Sequence, residues 1–545
     1  MNFVTAEFFI FLTLLFILYY LPPLRRIQWV VLLCGSIIFY LRTGIPFFVF
    51  IAGAAVLTWG GALLLEWTHK AEKDAKAALD TSDKAAKKAL KAKYARRVSL
   101  ILVPFLFVLF GVLVFMKYYN FAVKEFNALM NILRPGTAPV SFLYMVLPLG
   151  ISFYTFQAAG YLIDVARGTV HAEKNFFKIL LFLTFFPQIV QGPISPFDRL
   201  FPQLVSEHRF DFSHFKSGAE LMLWGYFKKI VIAERLFPVV NTVPADFPSY
   251  SGSAGLFALL SYALYLYADF SGGIDIIRGI AEISGIDMVE NFRRPYFSET
   301  LTEYWNRWHM SLGQWMKTYV FYPLAVSSSF DRIRKGIGKT RFGKSAYGKH
   351  VANVFPGCLS TFIVFILIGL WHGAELRYLA FGLFNGTVLA LSMLFAPAFL
   401  GLNRLLHIKT GSFPFKLFRI FRTFLLVLAG YVFDIAPSVS GAFGMVKKMF
   451  CDQNPSFFFE EELFPLFQVS EEQFALDITI LIISAIFLFA VSLWQEKRNT
   501  PVRSWLNTRP YVLQFVLLLF FTLFVLTYGI YGPDYDVQGF VYMNF

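Results

Sequence analysis

Two of the eight histidines stand where an imidazole can move a proton. His372 closes an almost wholly apolar run, Val351 to Leu370, that ends Gly369-Leu370-Trp371-His372-Gly373-Ala374-Glu375. The glycine beside it leaves room for a substrate to reach the ring, and imidazole is the usual proton-transfer group near neutral pH. The plainer alternative is a membrane-interface histidine beside a belt tryptophan. His309 belongs to the densest polar cluster of the chain, residues 285 to 323, between a long apolar helix and a basic loop. From Thr302 to His309 the pattern is helical, so Glu303 can pair with Arg307, and Trp305 stands one turn from His309, able to pack on its ring. Such polar groups survive at membrane depth when buried in protein or lining a water-filled cavity, which makes Asn291, Trp305, Asn306, Arg307 and Trp371 candidate lining residues. An interfacial amphipathic helix with a tryptophan belt explains the same spacing. The two histidines are 63 residues apart, so only the fold can join them.

Two further polar intrusions belong with these. Tyr267-Ala268-Asp269-Phe270-Ser271-Gly272 puts a carboxylate, Asp269, and a hydroxyl, Ser271, in the middle of an apolar helix, with Asp275 and Arg278 following. Pairing of Asp269 with an arginine or histidine is the economical expectation, whether for function or for structure. Phe186-Pro187-Gln188-Ile189-Val190-Gln191-Gly192-Pro193 breaks a helix with two prolines around two glutamines. Either Gln188 lines a channel, or the glutamine amides satisfy the carbonyls that the kink frees. No phosphate-binding G-x-x-x-x-G-K-[ST] loop, H-E-x-x-H or C-x-x-C occurs, and no metal site is expected.

These residues need elements to hold them, and the composition says which kind. Of 545 residues 57% are hydrophobic and 15% charged, 67 are phenylalanine, and the mean hydropathy is +0.57, which excludes a disordered chain and an ordinary soluble enzyme. Apolar runs long enough to cross roughly 30 Å of hydrocarbon recur along the whole chain. The expected crossings begin with Phe3 to Leu21, Trp29 to Leu41 and Ile45 to Leu65. Val98 to Phe115, Ser141 to Ile163, Phe177 to Ile194, Phe215 to Val240, Leu256 to Ile283 and a return through Leu312 to Val326 follow. Lys228, Lys229, Glu234 and Arg235 allow Phe215 to Val240 to be partly interfacial, in which case the return is re-entrant rather than spanning. Val351 to Trp371, Leu379 to Phe399, Leu417 to Phe433, Ile478 to Leu493 and Val512 to Ile530 complete the set, with an acidic loop at Glu460, Glu461 and Glu462. The stretches 67 to 97 and 330 to 350 each carry a net charge of +6, out of +14 for the chain. Positive-inside bias puts both in the cytoplasm, both termini outside, and both histidines toward the outer half of the membrane. The fold class is an all-α polytopic membrane protein, a bundle of about 12–14 spanning or re-entrant helices.

The runs Asn291-Phe292-Arg293-Arg294-Pro295-Tyr296, Tyr304-Trp305-Asn306-Arg307-Trp308-His309-Met310-Ser311-Leu312-Gly313 and Phe321-Tyr322-Pro323-Leu324 resemble the signature of the membrane-bound O-acyltransferase family. The resemblance extends to Phe186-Pro187-Gln188, Asp269-Phe270-Ser271-Gly272, Gly369 to Ala374 and the closing Phe540 to Phe545, and is strongest to the bacterial branch that O-acetylates alginate or transfers D-alanyl groups to lipoteichoic acid. It implies helices packed around a central channel, with the family's invariant histidine at His372 and its second polar position at His309. Thr318, Glu375 and Asn385 depart from the residues usual in that branch. The domains expected are N-terminal spans at 1–66, a basic helical loop at 67–97, a catalytic core at 98–398 and a C-terminal extension at 399–545. The implied protein is a multi-pass enzyme of the bacterial plasma membrane, with no bound cofactor. A cytoplasmic thioester, acetyl-coenzyme A or an acyl carrier, is the donor. An extracytoplasmic acetyltransferase or polysaccharide is the acceptor, and membrane lipid, not nucleic acid, surrounds it. D-Alanyl transfer to teichoic acid is the alternative chemistry, and a transporter or flippase the rival class. A cysteine introduced at Lys339 should resist an impermeant thiol reagent in intact cells and react after permeabilisation. Labelling without permeabilisation would refute the orientation.

Overall fold

The computed structural model describes residues 3–79, 83–458 and 463–532, and the regular structure among them is helical. Glu460, Glu461 and Glu462 and the run Phe540 to Phe545 lie outside the described residues. Eight helices there are long and apolar enough to cross a membrane: Pro22–Leu41, Ile45–Ala77, Lys84–Leu133, Gly252–Ile283, Ala346–His372, Leu376–Leu394, Glu471–Arg498 and Tyr511–Tyr528. The chain is an all-α polytopic membrane protein. The expected 12–14 included re-entrant helices, and several of the other apolar stretches are short, charged or broken. Ala6–Tyr20 has only 15 residues. The expected return through Leu312 to Val326 is Met310–Met316, a π-helical turn Lys317–Phe321, and Tyr322–Ala325. At 1.5 Å per residue that path is about 24 Å, short of a crossing.

The chain divides into two compact units, Met1–Gly218 with Ile280–Val289, and Ala219–Gly279 with Glu290–Phe545. In the first, the stretch 67 to 97 is not a helix of its own. Its first part continues Ile45–Ala77 and its last part begins Lys84–Leu133, where Asp83 caps the backbone N–H groups of Ala85 and Ala86. The expected crossing from Ser141 starts only at Ile151, after Gly150 at φ +68, where a side chain would strike the carbonyl of Ile189. The residues before it form no helix and are held by amides. Asn120 donates to the Leu143 carbonyl at 2.8 Å and accepts from its N–H at 3.0 Å, and Asn127 holds Val140 in the same two ways at 2.9 Å. The expected Phe177 to Ile194 span breaks at Phe185, ahead of Pro187, into Phe176–Thr184 and Phe186–Gln191. Gln188 and Gln191 are buried there, and their side-chain amides make no hydrogen bond among the described residues, so they do not satisfy the kink's carbonyls.

In the second unit the charges around Lys228 face the protein interior. Lys228, Lys229, Glu234 and Arg235 are all buried, on a π-helical turn Phe227–Ala233 that runs into Glu234–Ala245. The helix that leads into that turn, Phe212–Tyr226, meets Gly252–Ile283 backbone to backbone: a Cβ on Gly225 would lie 2.6 Å from the carbonyl oxygen of Gly272. The basic stretch at 330 to 350 begins within the helix Ser328–Lys339, where hydrogen bonds from Lys335 and Arg334 hold the half-buried Asp331 carboxyl below its usual range. Gly225→Ala should lower stability in detergent by about 1–3 kcal/mol through overpacking. Gly53→Ala, with nothing within 4 Å of the new methyl, should be neutral or stabilising by up to about 1 kcal/mol. Thermal melting compares the two, and equal shifts would contradict the close approach.

Candidate active site

His372 is the last residue of Ala346–His372 and is 6% exposed. His309 lies between two short helices, Leu301–Arg307 and Met310–Met316, and is 3% exposed. The helix expected to carry Thr302 through His309 therefore stops at Arg307. His309 itself takes φ 44° and ψ 54°, a left-handed conformation uncommon for a residue with a side chain. That turn moves the imidazole away from Trp305, so the expected Trp305 contact gives way to others. The His309 ring meets Phe270 edge-on at 4.9 Å and Trp371 at 5.7 Å between centroids. Trp371 in turn meets the His372 ring edge-on at 5.4 Å between centroids. The fold thus unites the two histidines the sequence singled out, with Trp371 beside both.

Asn291 holds the turn. Its side-chain oxygen accepts from the Ser311 N–H at 2.9 Å and lies 3.2 Å from His309 Nδ1, while its own carbonyl accepts from the Met310 N–H at 3.0 Å. Trp305 lies one layer further out. Its indole N–H donates to Asn385 at 3.3 Å, and its ring packs on Phe365 and on Phe381, which also touches His372 at 5.2 Å. Asn306 is exposed and accepts from Lys317. Arg307 pairs with Glu303 at 2.6 Å, as expected, and with Glu496 at 3.0 Å, which Arg294 also binds at 2.7 Å. Gln188 belongs to the first unit.

Asp269 is paired with a lysine, a partner the sequence reading did not name. Lys229 pairs with it at 2.5 Å and with Glu234 at 2.7 Å. Lys228 donates to Ser271 at 2.8 Å and to Asp275 at 2.7 Å. Asp269 and Ser271 thus flank Phe270, the ring against His309, and tie its helix to the lysines. These lysines were visible in the sequence as charges in an apolar run, but nothing local showed that they point inward. Tyr378 was missed altogether. Its ring lies 6.2 Å from that of His372 and fills the space over Gly373, where a Cβ would sit 2.2 Å from Tyr378 Cε2. The space beside the glycine is therefore taken by a tyrosine of the protein. Arg377 braces that tyrosine, donating to its hydroxyl at 3.0 Å and to the carbonyls of Asp434 and Ala436.

The probable alginate O-acetylase AlgI of Pseudomonas syringae pv. tomato is 31% identical over 443 residues, covering 81% of this chain and 73% of that protein. The chain belongs to the membrane-bound O-acyltransferase family. The family's own pattern matches residues 169–336, a stretch that contains His309 and ends before His372. The peptidoglycan O-acetyltransferase of Helicobacter pylori is 26% identical over 364 residues, covering 62% of each chain. The teichoic acid D-alanyltransferase of Bacillus subtilis is 28% identical over 247 residues, covering 44% of this chain and 58% of its own. The protein is therefore a multi-pass membrane enzyme, an O-acyltransferase. In this O-acyltransferase, Lys229→Met should leave Asp269 and Glu234 buried without their shared cation and cost about 3–5 kcal/mol. A fluorescence-based melting assay in detergent would show it, and an unchanged melting temperature would mean that the ion cluster carries no stability.

Proposed function

We propose that the enzyme moves an acetyl group from a cytoplasmic thioester, acetyl-coenzyme A or an acyl carrier, to a hydroxyl of a cell-envelope polysaccharide. Transfer is direct or passes through an extracytoplasmic acetyltransferase, and the enzyme sits in the plasma membrane of a bacterium with residues 67 to 97 and 330 to 350 in the cytoplasm. The observation that carries the reading is the convergence of His309 and His372 on Trp371, both imidazoles buried in one unit. The likeness to the probable alginate O-acetylase of Pseudomonas supports acetyl as the group moved.

The chemistry needs a proton acceptor and little else, because a thioester is already activated. As the hydroxyl oxygen bonds to the acyl carbon, its proton passes to His372. When the C–S bond breaks, the departing thiolate takes that proton back. A positioned base contributes roughly 10²- to 10⁴-fold in rate. His309 either orients the acyl carbonyl or shares the proton. The basic loops attract a phosphate-bearing donor in a salt-dependent way, and Trp305, with Asn385 and Phe381, shapes the wall beside His372.

His372→Ala should abolish acyl transfer with membrane insertion intact, and His309→Ala should lower it by a comparable factor. The double variant should be about as impaired as His372→Ala alone, since groups acting as one unit are strongly non-additive. The measurement is acyl transfer per mole of inserted protein. Wild-type-like transfer by His372→Ala would move the chemistry away from that histidine. Mass spectrometry of envelope polymers with and without the gene separates acetyl from D-alanyl transfer, and unchanged acylation of every polymer would overturn the reading.

A further inference from the structure

His309 was left with two possible roles, donor to the acyl carbonyl or sharer of the proton, and the hydrogen bonds around Asn291 decide between them. The Ser311 backbone N–H can only donate, so the Asn291 atom 2.9 Å away is the amide oxygen. That same oxygen lies 3.2 Å from His309 Nδ1. An oxygen accepting there requires Nδ1 to carry the hydrogen, and a neutral imidazole has only one. The lone pair is therefore on Nε2. The arrangement is rigid: Asn291 is fully buried, its own carbonyl accepts from Met310, and the left-handed turn at His309 presents the ring to it.

We propose that Asn291 is a positioning residue that locks His309 in the Nδ1–H tautomer, so that His309 enters the reaction as a proton acceptor through Nε2 and not as a hydrogen-bond donor to the acyl carbonyl. This rests on the reading that the two histidines handle the proton of acyl transfer. The proton lost by the acceptor hydroxyl, as its oxygen bonds to the acyl carbon, reaches Nε2 directly or by way of His372. It leaves with the thiolate when the C–S bond breaks, so the ring returns to the same tautomer. Asn291 touches neither substrate in this scheme. Its contribution is the choice of nitrogen, which is worth as much as the base itself when the wrong tautomer cannot accept a proton.

The test uses the full-length protein in membrane vesicles with radiolabelled acetyl-coenzyme A as donor, comparing Asn291→Leu, Asn291→Asp, His309→Asn and His309→Ala. Asn291→Leu removes the acceptor at Nδ1 and should lower kcat by about 10²- to 10⁴-fold with little change in the donor's KM. Asn291→Asp keeps an acceptor there and should stay within about tenfold of wild type. His309→Asn supplies an amide donor but no base, and should be as inactive as His309→Ala. The ring-nitrogen NMR signals of ¹⁵N-histidine-labelled protein in nanodiscs, assigned by difference with His309→Asn, should show a protonated Nδ1 in wild type and Asn291→Asp and not in Asn291→Leu. Retained kcat in Asn291→Leu, loss in Asn291→Asp equal to that in Asn291→Leu, or activity in His309→Asn when His309→Ala is dead would each overturn the tautomer lock. Wild-type-like transfer by His309→Ala would instead overturn the assignment of proton handling to His309 on which the lock rests.

Discussion

Lys229 sits between two carboxylates, 2.5 Å from Asp269 and 2.7 Å from Glu234, with 3% of its side chain exposed. A cation taken out of water in this way is tolerable only where opposite charge and hydrogen bonds meet it on the spot, and removing one member strands the others. The requirement fixes how two helices of the second unit lie against each other, since the lysine is on one and Asp269 on the other. Their glycine contact at Gly225 and Gly272 brings the backbones close enough for a side chain to reach. The π-helical turn supplies the rest, because its extra residue per turn changes which positions share a face and lets Lys228 and Lys229 both point inward.

The same logic runs along Glu471–Arg498. Near its start Asp477 receives Arg235 at 3.0 Å, and near its end Glu496 receives Arg294 and Arg307. About 28 Å of helix separates the two acids. The helix is thereby pinned by guanidinium groups at both ends, one close to the lysine cluster and the other on the polar segment that carries His309. Phe270, between Asp269 and Ser271, joins the lysine cluster to the histidines through its edge-on contact with the imidazole. Ion pairs set the positions of the helices, and aromatic rings pass that precision to the site.

What the sequence made legible followed the range of the interaction. Glu303 with Arg307 needed only helical spacing, and it formed. The helix-forming stretches were readable from apolar runs, although Gly150 and Pro187 shifted or broke them, and Pro and Gly effects depend on which neighbour they meet. The two histidines were identifiable because polar groups at the end of an apolar run are costly, but their union depends on contacts across 63 residues. The Trp305 stacking failed because a helical pattern does not reveal that one residue, His309, turns left-handed. Lys229 with Asp269 was out of reach for a different reason: the partners are 40 residues apart, and a charge in an apolar run looks the same whether it snorkels to an interface or turns inward. Gly373 was read as open space, whereas a missing side chain equally marks a place already filled by a neighbour.

The grip of Asn120 and Asn127 on Val140 and Leu143 consists wholly of amide to main-chain hydrogen bonds. Each asparagine offers one donor and one acceptor, from a helix whose own backbone groups are already paired. Because only main-chain atoms are held, the grip is blind to the side chains it carries: Phe142 and Tyr144, 59% and 98% exposed, take no part in it. The strap can therefore change its outward residues from one relative to another, with new surface character, while the two asparagines and the seven-residue spacing between them stay as they are.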